Sequence, residues 1–507
     1  MMTEPSGDQF VLIKPIDATK LAKALAGFSV EIAPEVAAKP FVLLDCHDQS
    51  LRASGRVLIE TNGVLQLWQN KRKPLSQRGK GLGLFVQNLP HGPVQVALKG
   101  FPELRALIQI GAGKIAVKSL VVLDELQKTQ VRGTIWFMTS STGQAAIVRI
   151  QKLRGYERAY QKVCDAISDL PSGALGTEAF FAGLFPGMFT YQAKPEIRLG
   201  QTEPSIEVAA DIIQTYLKVA RQNEDGVIAD IDTEFLHDYR VSLRKIRSVV
   251  SLFKGVFSQT QTAELKRVFS ELMAPTGRMR DLDVYLLDKD MYFNLVPSKL
   301  HAGLHEMFDR FQKERMQEMS RLSRRLRGDA YDTSMSELIA LFSETTRLEA
   351  GPNADRGASE YACALIWKRY RKVCRTARSI TDDTPDETVH DLRIDCKKLR
   401  YLMEFFGPLF DAKSFRTIIR PLKKLQDNLG LFNDYSVQQE ALLAFVSQQS
   451  NAQGRVDAQV GLAVGGLIAV LDQRQKAERS RVISSFQQFD RLETRHLFRS
   501  LFHQKEE

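Results

Sequence analysis

The stretch HDYRVSLRKIR at residues 237–247 returns as HDLRIDCKKLR at residues 390–400, an offset of 153 residues. The same offset, without a gap, pairs Phe253 with Phe406, Phe257 with Phe410, Arg267 with Arg420, Leu272 with Leu425, Gly277 with Gly430, Asp281 with Asp434 and Val284 with Val437. Because chance does not hold one register over so long a span, we predict an internal repeat. Around it, residues 205–507 show helical periodicity, which predicts two pseudo-symmetric four-helix bundles at about 205–350 and 357–507.

Each copy of the repeat has a cationic face and an apolar face. At 100° per residue, the cations of the first copy lie within one arc, and Leu243, Ile246 and Val250 lie opposite. The cationic positions are His237, Arg240, Arg244 and Arg247 in the first copy and His390, Arg393, Lys397 and Arg400 in the second, flanked by Lys245 and Lys398. Cations on successive helical turns repel each other, so an anion must compensate them. Carboxylates of neighbouring helices are one possibility, and the duplicated spacing favours the other, a shared anionic ligand.

Further cations recur at helical spacing outside the two stripes. They are Arg267 and Arg280 in the first copy, Lys368, Arg371 and Arg375 in the segment before the second motif, and Arg420, Lys423 and Lys424 after it. We predict that several adjacent helices contribute these cations to one cleft.

The part of the chain before residue 171 has a different pattern. It consists of short β-type runs broken by turns, such as KPFVLLD (39–45), RVLIETN (56–62) and PVQVALK (93–99). Several runs in this part alternate apolar with polar residues, which predicts antiparallel strands. KRKPLSQRGK (71–80) is predicted to be a solvated loop, and residues 155–170 a helix. We therefore predict an α+β multidomain chain: a β-barrel domain at 1–170, a Pro/Gly-rich linker at 171–204 and an all-α domain at 205–507.

Composition restricts the class of protein. The formal charge of +10 indicates an anionic partner. Five scattered cysteines without a C-x-x-C pair indicate a reducing compartment and no thiolate metal site. The polar start MMTEPSGDQF and the short apolar runs predict neither a secretory signal nor a membrane span. We expect a cytoplasmic protein.

The pattern H-x-x-R-x-x-x-[RK]-[RK]-x-R occurs twice, and each copy is followed by a second motif, RDLDV at 280–284 and NDYSV at 433–437. Residues 205–507 thereby resemble the CHAD family, the conserved histidine α-helical domains. The resemblance implies two four-helix bundles whose basic central surface binds inorganic polyphosphate. We expect this binding to need no catalytic residue, metal or cofactor, and storage, granule targeting and regulation of a partner are the alternative roles for it. The cations named above are the expected polyphosphate-binding residues. Pro275 is predicted to end or kink a helix just before Arg280.

FVLLDCHDQSLRASGRVL (41–58) resembles the strand, turn and strand of CYTH, or triphosphate tunnel, proteins. That resemblance implies eight antiparallel strands around a tunnel in which glutamates hold a divalent metal. Here the opening E-x-E-x-K position reads Phe10, Leu12 and Lys14, and a late E-x-E strand reads Arg149 and Gln151. Metal ions of this kind require several oxygen ligands, so we predict a degenerate, non-catalytic barrel.

Two alternatives compete with polyphosphate binding. The first is a metal-dependent inorganic triphosphatase, which requires carboxylates from other strands, such as Glu60 or Glu125, to enter the barrel. The second is a nucleic-acid-binding protein. Such proteins interleave aromatic residues with their cations, and the stripes have only Tyr239 and Tyr370 nearby. Nucleic acid is therefore the less favoured partner.

Overall fold

The computed structural model describes residues 9–13, 25, 27–33, 37–169, 175–448 and 457–503. The chain divides into two compact units, Met1–Ala193 and Lys194–Glu507. Among the described residues, no helix is both long and apolar enough to cross a lipid bilayer.

The N-terminal unit is built on one antiparallel sheet. Its strands are β1 (Gln9–Ile13), β2 (Ser29–Ile32), β3 (Lys39–Asp45), β4 (Arg56–Thr61), β5 (Val64–Gln69), β6 (Arg72–Arg78), β7 (Ile108–Leu123), β8 (Thr129–Thr139) and β9 (Gln144–Gln151). They follow the order β1-β9-β8-β7-β3-β4-β5-β6, and β2 pairs with β7. The two ends of this order approach each other, since the Lys71 N–H donates to the Phe10 carbonyl at 2.7 Å. The sheet is a nearly closed barrel, as the sequence predicts.

Four helices accompany this sheet: α1 (Ser50–Ala53), α2 (Pro93–Ala97), α3 (Glu157–Ser168) and α4 (Thr177–Leu184). The barrel interior is an apolar core that includes Phe10, Leu12 and Trp68, and Phe180 and Phe181 of α4 pack into it. Part of the segment 171–204, predicted as a linker, is therefore structured. Its helix α4 contributes to the barrel core, and the N-terminal unit extends to Ala193.

Two local predictions in this unit are wrong. PVQVALK forms helix α2 instead of a strand, because Pro93 suits the first helical turn and the Gln77 side-chain oxygen accepts from the Val94 and Gln95 N–H groups. Residues 72–78, predicted as a loop, form β6. That strand ends the sheet order, and an edge strand tolerates Pro74.

The C-terminal unit is all-helical. Its helices are α5 (Ser205–Ile228), α6 (Thr233–Leu252), α7 (Gln259–Met273), α8 (Gly277–Leu287), α9 (Lys289–Leu295), α10 (His301–Leu326), α11 (Asp329–Ser343), α12 (Ala358–Arg378), α13 (Asp386–Phe406), α14 (Ala412–Gln448), α15 (Ala458–Phe489) and α16 (Leu492–Phe502). Helix α6 begins at a strong cap, since the Asp232 carboxylate accepts from the N–H groups of Glu234 and Phe235. Pro275 lies in a short 3-10 turn between α7 and α8, so its predicted helix break is confirmed.

The two repeats form two bundles that meet through equivalent elements. Helix α6 contacts α13, and α5 contacts its equivalent α12. Residues 153 apart touch each other: Phe253 and Phe406 stack with ring centroids 4.8 Å apart, and the Tyr285 hydroxyl donates to the Gln438 carbonyl at 3.4 Å. Contact between equivalent positions is the signature of a twofold arrangement. The predicted pseudo-symmetry is therefore present.

Candidate anion-binding site

The cationic stripes of α6 and α13 share one cavity at the pseudo-twofold. A space of about 310 Å³ is lined by Arg244 and Arg247 from α6 and by Arg393, Lys397 and Lys398 from α13. Packing of the opposite faces fixes this arrangement, because Leu243, Ile246, Leu399 and Met403 are buried in the shared apolar core. Arg244 and Lys397 are equivalent positions of the repeat. Each repeat therefore contributes an equivalent cation to the same cavity.

Two further cavities continue this space. A cavity of about 560 Å³ is also lined by Arg244, and one of about 210 Å³ is also lined by Arg393 and Lys397. We call the three together the central cleft. Its predicted cations are His237, Arg240, Arg244, Arg247, Arg280, Arg393, Lys397, Lys398 and Arg400.

The charges of the central cleft repel one another. Burial, together with Arg244 and Arg393, lowers the pKa of Lys397 to about 8. Burial and then Arg244 also lower the pKa of Arg240. Carboxylates compensate only part of this charge. Asp434 lies 3.7 Å from Arg393. Asp281, the equivalent residue of the first repeat, favours the charged form of Arg240. The cleft thus retains an excess of positive charge that an anion would stabilise.

The two repeat histidines lie beside the cleft. His237 lines the 560 Å³ cavity, and Nδ1 of the exposed His390 lies 2.7 Å from Oδ1 of Asn433, which lines the same cavity. Among the described residues, no three His, Cys, Asp or Glu side chains are grouped as a metal site. The His390 ring already makes a polar contact with the Asn433 side chain.

Lys245 is not part of the cleft surface. Its side chain is buried, its ammonium lies 2.8 Å from a carboxylate oxygen of Glu404, and it contacts the rings of Tyr216, Tyr401 and Phe405. Lys245 flanks the stripe on its helix, but its ammonium forms an ion pair with Glu404 of the second repeat. Lys245 therefore joins the two bundles.

Three predicted cations on α14 and one on α7 lie outside the cavities. Arg267 is exposed and pairs with Glu264 and Glu271 of its own helix, both at 2.6 Å. Lys424 donates to the Gln488 side chain at 2.7 Å. Lys423 is exposed one turn before Gln426 and Asp427, which line the 210 Å³ cavity, and Arg420 lies a further turn away. Lys423 and Arg420 could therefore extend the cleft along α14.

The row on α12 belongs to another surface. Arg371 and Arg375 line a separate cavity of about 520 Å³ together with Arg378, Arg495 and Arg499. Lys368 is exposed one turn before Arg371. The face of α12 toward α13 instead carries Arg369, which pairs with Asp395 at 2.7 Å. The structure thus separates these three predicted residues from the two stripes.

Some residues that line the central cleft are not among the predicted site residues. Tyr401, Tyr292, Gln438 and Arg474 line its cavities. Tyr292 lies on the short helix α9, and Arg474 on α15, far from either motif in sequence. Only their approach in the folded chain identifies them.

The barrel interior differs from a polar metal tunnel. Phe10 and Leu12 lie in its apolar core, whereas Lys14 lies outside the described residues. Arg149 shares a strand face with Ala145 and Ile147 of that core, and its guanidinium approaches the Phe10 ring. The two carboxylates that could rescue a metal site lie elsewhere. Glu60 accepts from the Gly81 N–H at 2.9 Å on the strand face opposite Ile59, and Glu125 lies in the turn between β7 and β8.

Comparisons with known proteins agree with the helical part of this description. Residues 211–443 match the family described as CHAD domain. Several solved structures are similar, among them the following two. The CHAD domain from the plant Ricinus communis is 26% identical with a TM-score of 0.49, covering 58% of this chain and 95% of that one. PptA from Streptomyces chartreusis is 15% identical with a TM-score of 0.43, covering 56% and 100%. No curated protein matches the chain. Residues 211–443 are thus similar to CHAD domains, as their motifs predict.

Proposed function

We propose that the helical unit binds inorganic polyphosphate in the central cleft, without catalysis. The observation that carries the proposal is the meeting of Arg244 and Lys397 in one cavity, where neighbouring cations and burial hold the pKa of Lys397 near 8. A phosphate polymer can follow an elongated row of cations and relieve their repulsion. The CHAD resemblance implies the same ligand. Association with polyphosphate granules and a cytoplasmic location are part of this proposal.

The test compares Arg244→Ala, Lys397→Ala and the double variant for binding of short and long polyphosphate over a salt series. Each single variant should lose affinity by a similar factor, about tenfold for one charge-assisted contact. Each should also reduce the slope of log affinity against log salt by about one. Long chains should bind more tightly than short ones, because linked contacts raise the effective concentration.

Arg267→Ala is the matched control, since it also removes a predicted site arginine but one held by ion pairs on α7. It should leave the affinity unchanged. Equal affinity of wild type, Arg244→Ala and Lys397→Ala, or a loss confined to one repeat, would contradict a shared site. Single-stranded RNA serves as competitor, and displacement of long polyphosphate by equal RNA concentrations would favour the nucleic-acid alternative.

A further inference from the structure

The 560 Å³ cavity of the central cleft changes in character along its length. It runs beside α8, which carries Arg280 in its first turn and Val284 and Tyr285 in its last. Helix α9 adds Met291 and Tyr292 at the latter end. The cavity is therefore basic where α6 and the start of α8 meet, and aromatic and apolar where α8 ends.

Four residues that line this cavity each hold a buried polar atom with no hydrogen-bond partner among the described residues. The atoms are Arg244 Nε, Arg280 Nη1, Tyr292 Oη and Gln438 Oε1. Tyr292 is fully buried, with 0% of its surface exposed. Buried polar groups are nearly always paired in folded proteins, because leaving them unpaired costs free energy. Four such atoms around one space indicate a ligand that completes their hydrogen bonds.

The four atoms require two different kinds of hydrogen-bonding partner. The guanidinium groups of Arg244 and Arg280 are donors that suit phosphate oxygens. The Gln438 amide and the Tyr292 hydroxyl are neutral, and an amide can accept as well as donate. A phosphate chain at neutral pH offers acceptors almost alone, so it cannot satisfy an amide oxygen.

A carboxylate strengthens this distinction. Asp288, which follows the last residue of α8, lines the cavity at its aromatic end and would repel a phosphate chain that filled the whole length. Asp281 instead offsets part of the charge of Arg240 and Arg280 at the basic end. A group that is uncharged, flat and edged with N–H donors and ring acceptors fits the aromatic end better. A nucleobase has these properties.

We propose that the central cleft binds a nucleoside triphosphate, with the phosphates at Arg240, Arg244 and Arg280 and the base between α8, α9 and α14. This inference rests on the proposed function, because the nucleotide and polyphosphate use the same arginines. The cavity volume lies within the range of small-molecule sites, about 300–1,000 Å³. A nucleotide would thus compete with polyphosphate for the cleft.

The experiment measures the affinities of ATP, tripolyphosphate and long polyphosphate for the full chain at one ionic strength in the presence of EDTA. Tripolyphosphate has the same number of phosphates as ATP and carries more charge, so a purely electrostatic site prefers it. We expect ATP to bind about tenfold more tightly than tripolyphosphate, the effect of one or two added hydrogen bonds.

Tyr292→Phe and Gln438→Leu remove the polar groups at the aromatic end. Each should weaken ATP binding by about threefold to tenfold and leave tripolyphosphate unchanged. Tyr292→Phe should not lower the thermal stability, because the hydroxyl that it removes is unpaired. Tyr361→Phe is the matched control: its buried hydroxyl donates to the Lys254 carbonyl at 2.9 Å, away from the cavity, so it should alter stability and neither affinity.

The outcomes separate the two proposals. If long polyphosphate binds but ATP is no tighter than tripolyphosphate, or both variants keep the ATP preference, the nucleotide inference is overturned and polyphosphate binding stands. If long polyphosphate does not bind at all, the proposed function itself fails.

Discussion

Two lysines of the repeat carry the same charge in opposite surroundings. Burial alone would lower the pKa of Lys245, but Glu404 outweighs it and the pKa is raised. Partial burial also lowers the pKa of Lys397, and the positive charges of Arg244 and Arg393 lower it further, to about 8. The first lysine stabilises the junction of the bundles. The second is left to be stabilised by a ligand.

Polyphosphate affinity should therefore fall as the pH rises through about 8. A bound anion raises the pKa of Lys397 above its value of about 8 in the free protein. At a pH above 8 the free lysine is neutral, and polyphosphate binding then requires that it take up a proton. Below pH 8 the lysine is charged in both states and contributes no pH dependence. Above it, the affinity should drop by up to about tenfold per pH unit. Binding assays between pH 6.5 and 9.5 would measure the decline.

Lys397→Arg provides the check on this prediction, because arginine stays charged throughout the range. The variant should bind with a flat pH profile, whereas Lys423→Arg, changed at an exposed position of α14, should keep the wild-type slope. If the affinity of Lys397→Arg declines with pH as that of the wild type does, a group other than Lys397 causes the pH dependence.

Residue periodicity predicted the two stripes but not their neighbours. The spacing of Arg240 and Arg244 fixes one face of α6, that of Arg393 and Lys397 fixes one face of α13, and both faces line the cleft. The same reasoning placed Lys245 and Arg371 with them. A helix face can be derived from one segment, but the identity of the facing helix depends on tertiary packing, so neither Glu404 nor α16 could be anticipated.

At the scale of the element, the barrel differs from a tunnel because apolar side chains fill its interior. Phe180 and Phe181 of α4 pack with Phe10 and Leu12, and these side chains occupy the interior that a tunnel would leave open. Short segments were the hardest to predict. In PVQVALK, alternating valines suggest a strand, but Pro93 and the cap from Gln77 select a helix. The helical character of residues 205–507 was easier to predict, because their periodicity extends over several turns.

We expect purified protein to show no turnover of tripolyphosphate with Mg²⁺ or Mn²⁺. The reason is the apolar interior, together with the positions of Glu60 and Glu125 away from it. The described residues hold no cluster of carboxylates of the kind that binds a divalent ion and activates water. Phosphate release would be measured for wild type and for Arg149→Ala. Release that disappears in the variant would show that the barrel is an enzyme.

At the scale of the whole molecule, each unit has its own core. The core of the helical unit draws on both repeats, and the barrel core draws on strands and α4. A fragment of residues 194–507 should therefore fold alone, with helical circular dichroism and cooperative unfolding.

The same fragment should retain the polyphosphate affinity of the full chain within about twofold, since every residue of the central cleft lies in it. Titration of both proteins under the same conditions measures this. A fragment that is helical and stable but has lost most of its affinity would mean that the barrel contributes to the site.

The stacking of Phe253 on Phe406, each the counterpart of the other, gives the helical unit the interface of a homodimer within one chain. In a true homodimer, both halves must change together when a gene mutates. Here each half has its own stretch of sequence, so a residue of one half can change while its counterpart in the other half stays the same. Arg280 and Asn433 illustrate such a divergence, since the same position holds a guanidinium in one half and the amide partner of His390 in the other. Covalent fusion thus allows a symmetric scaffold to hold an asymmetric ligand in a single orientation.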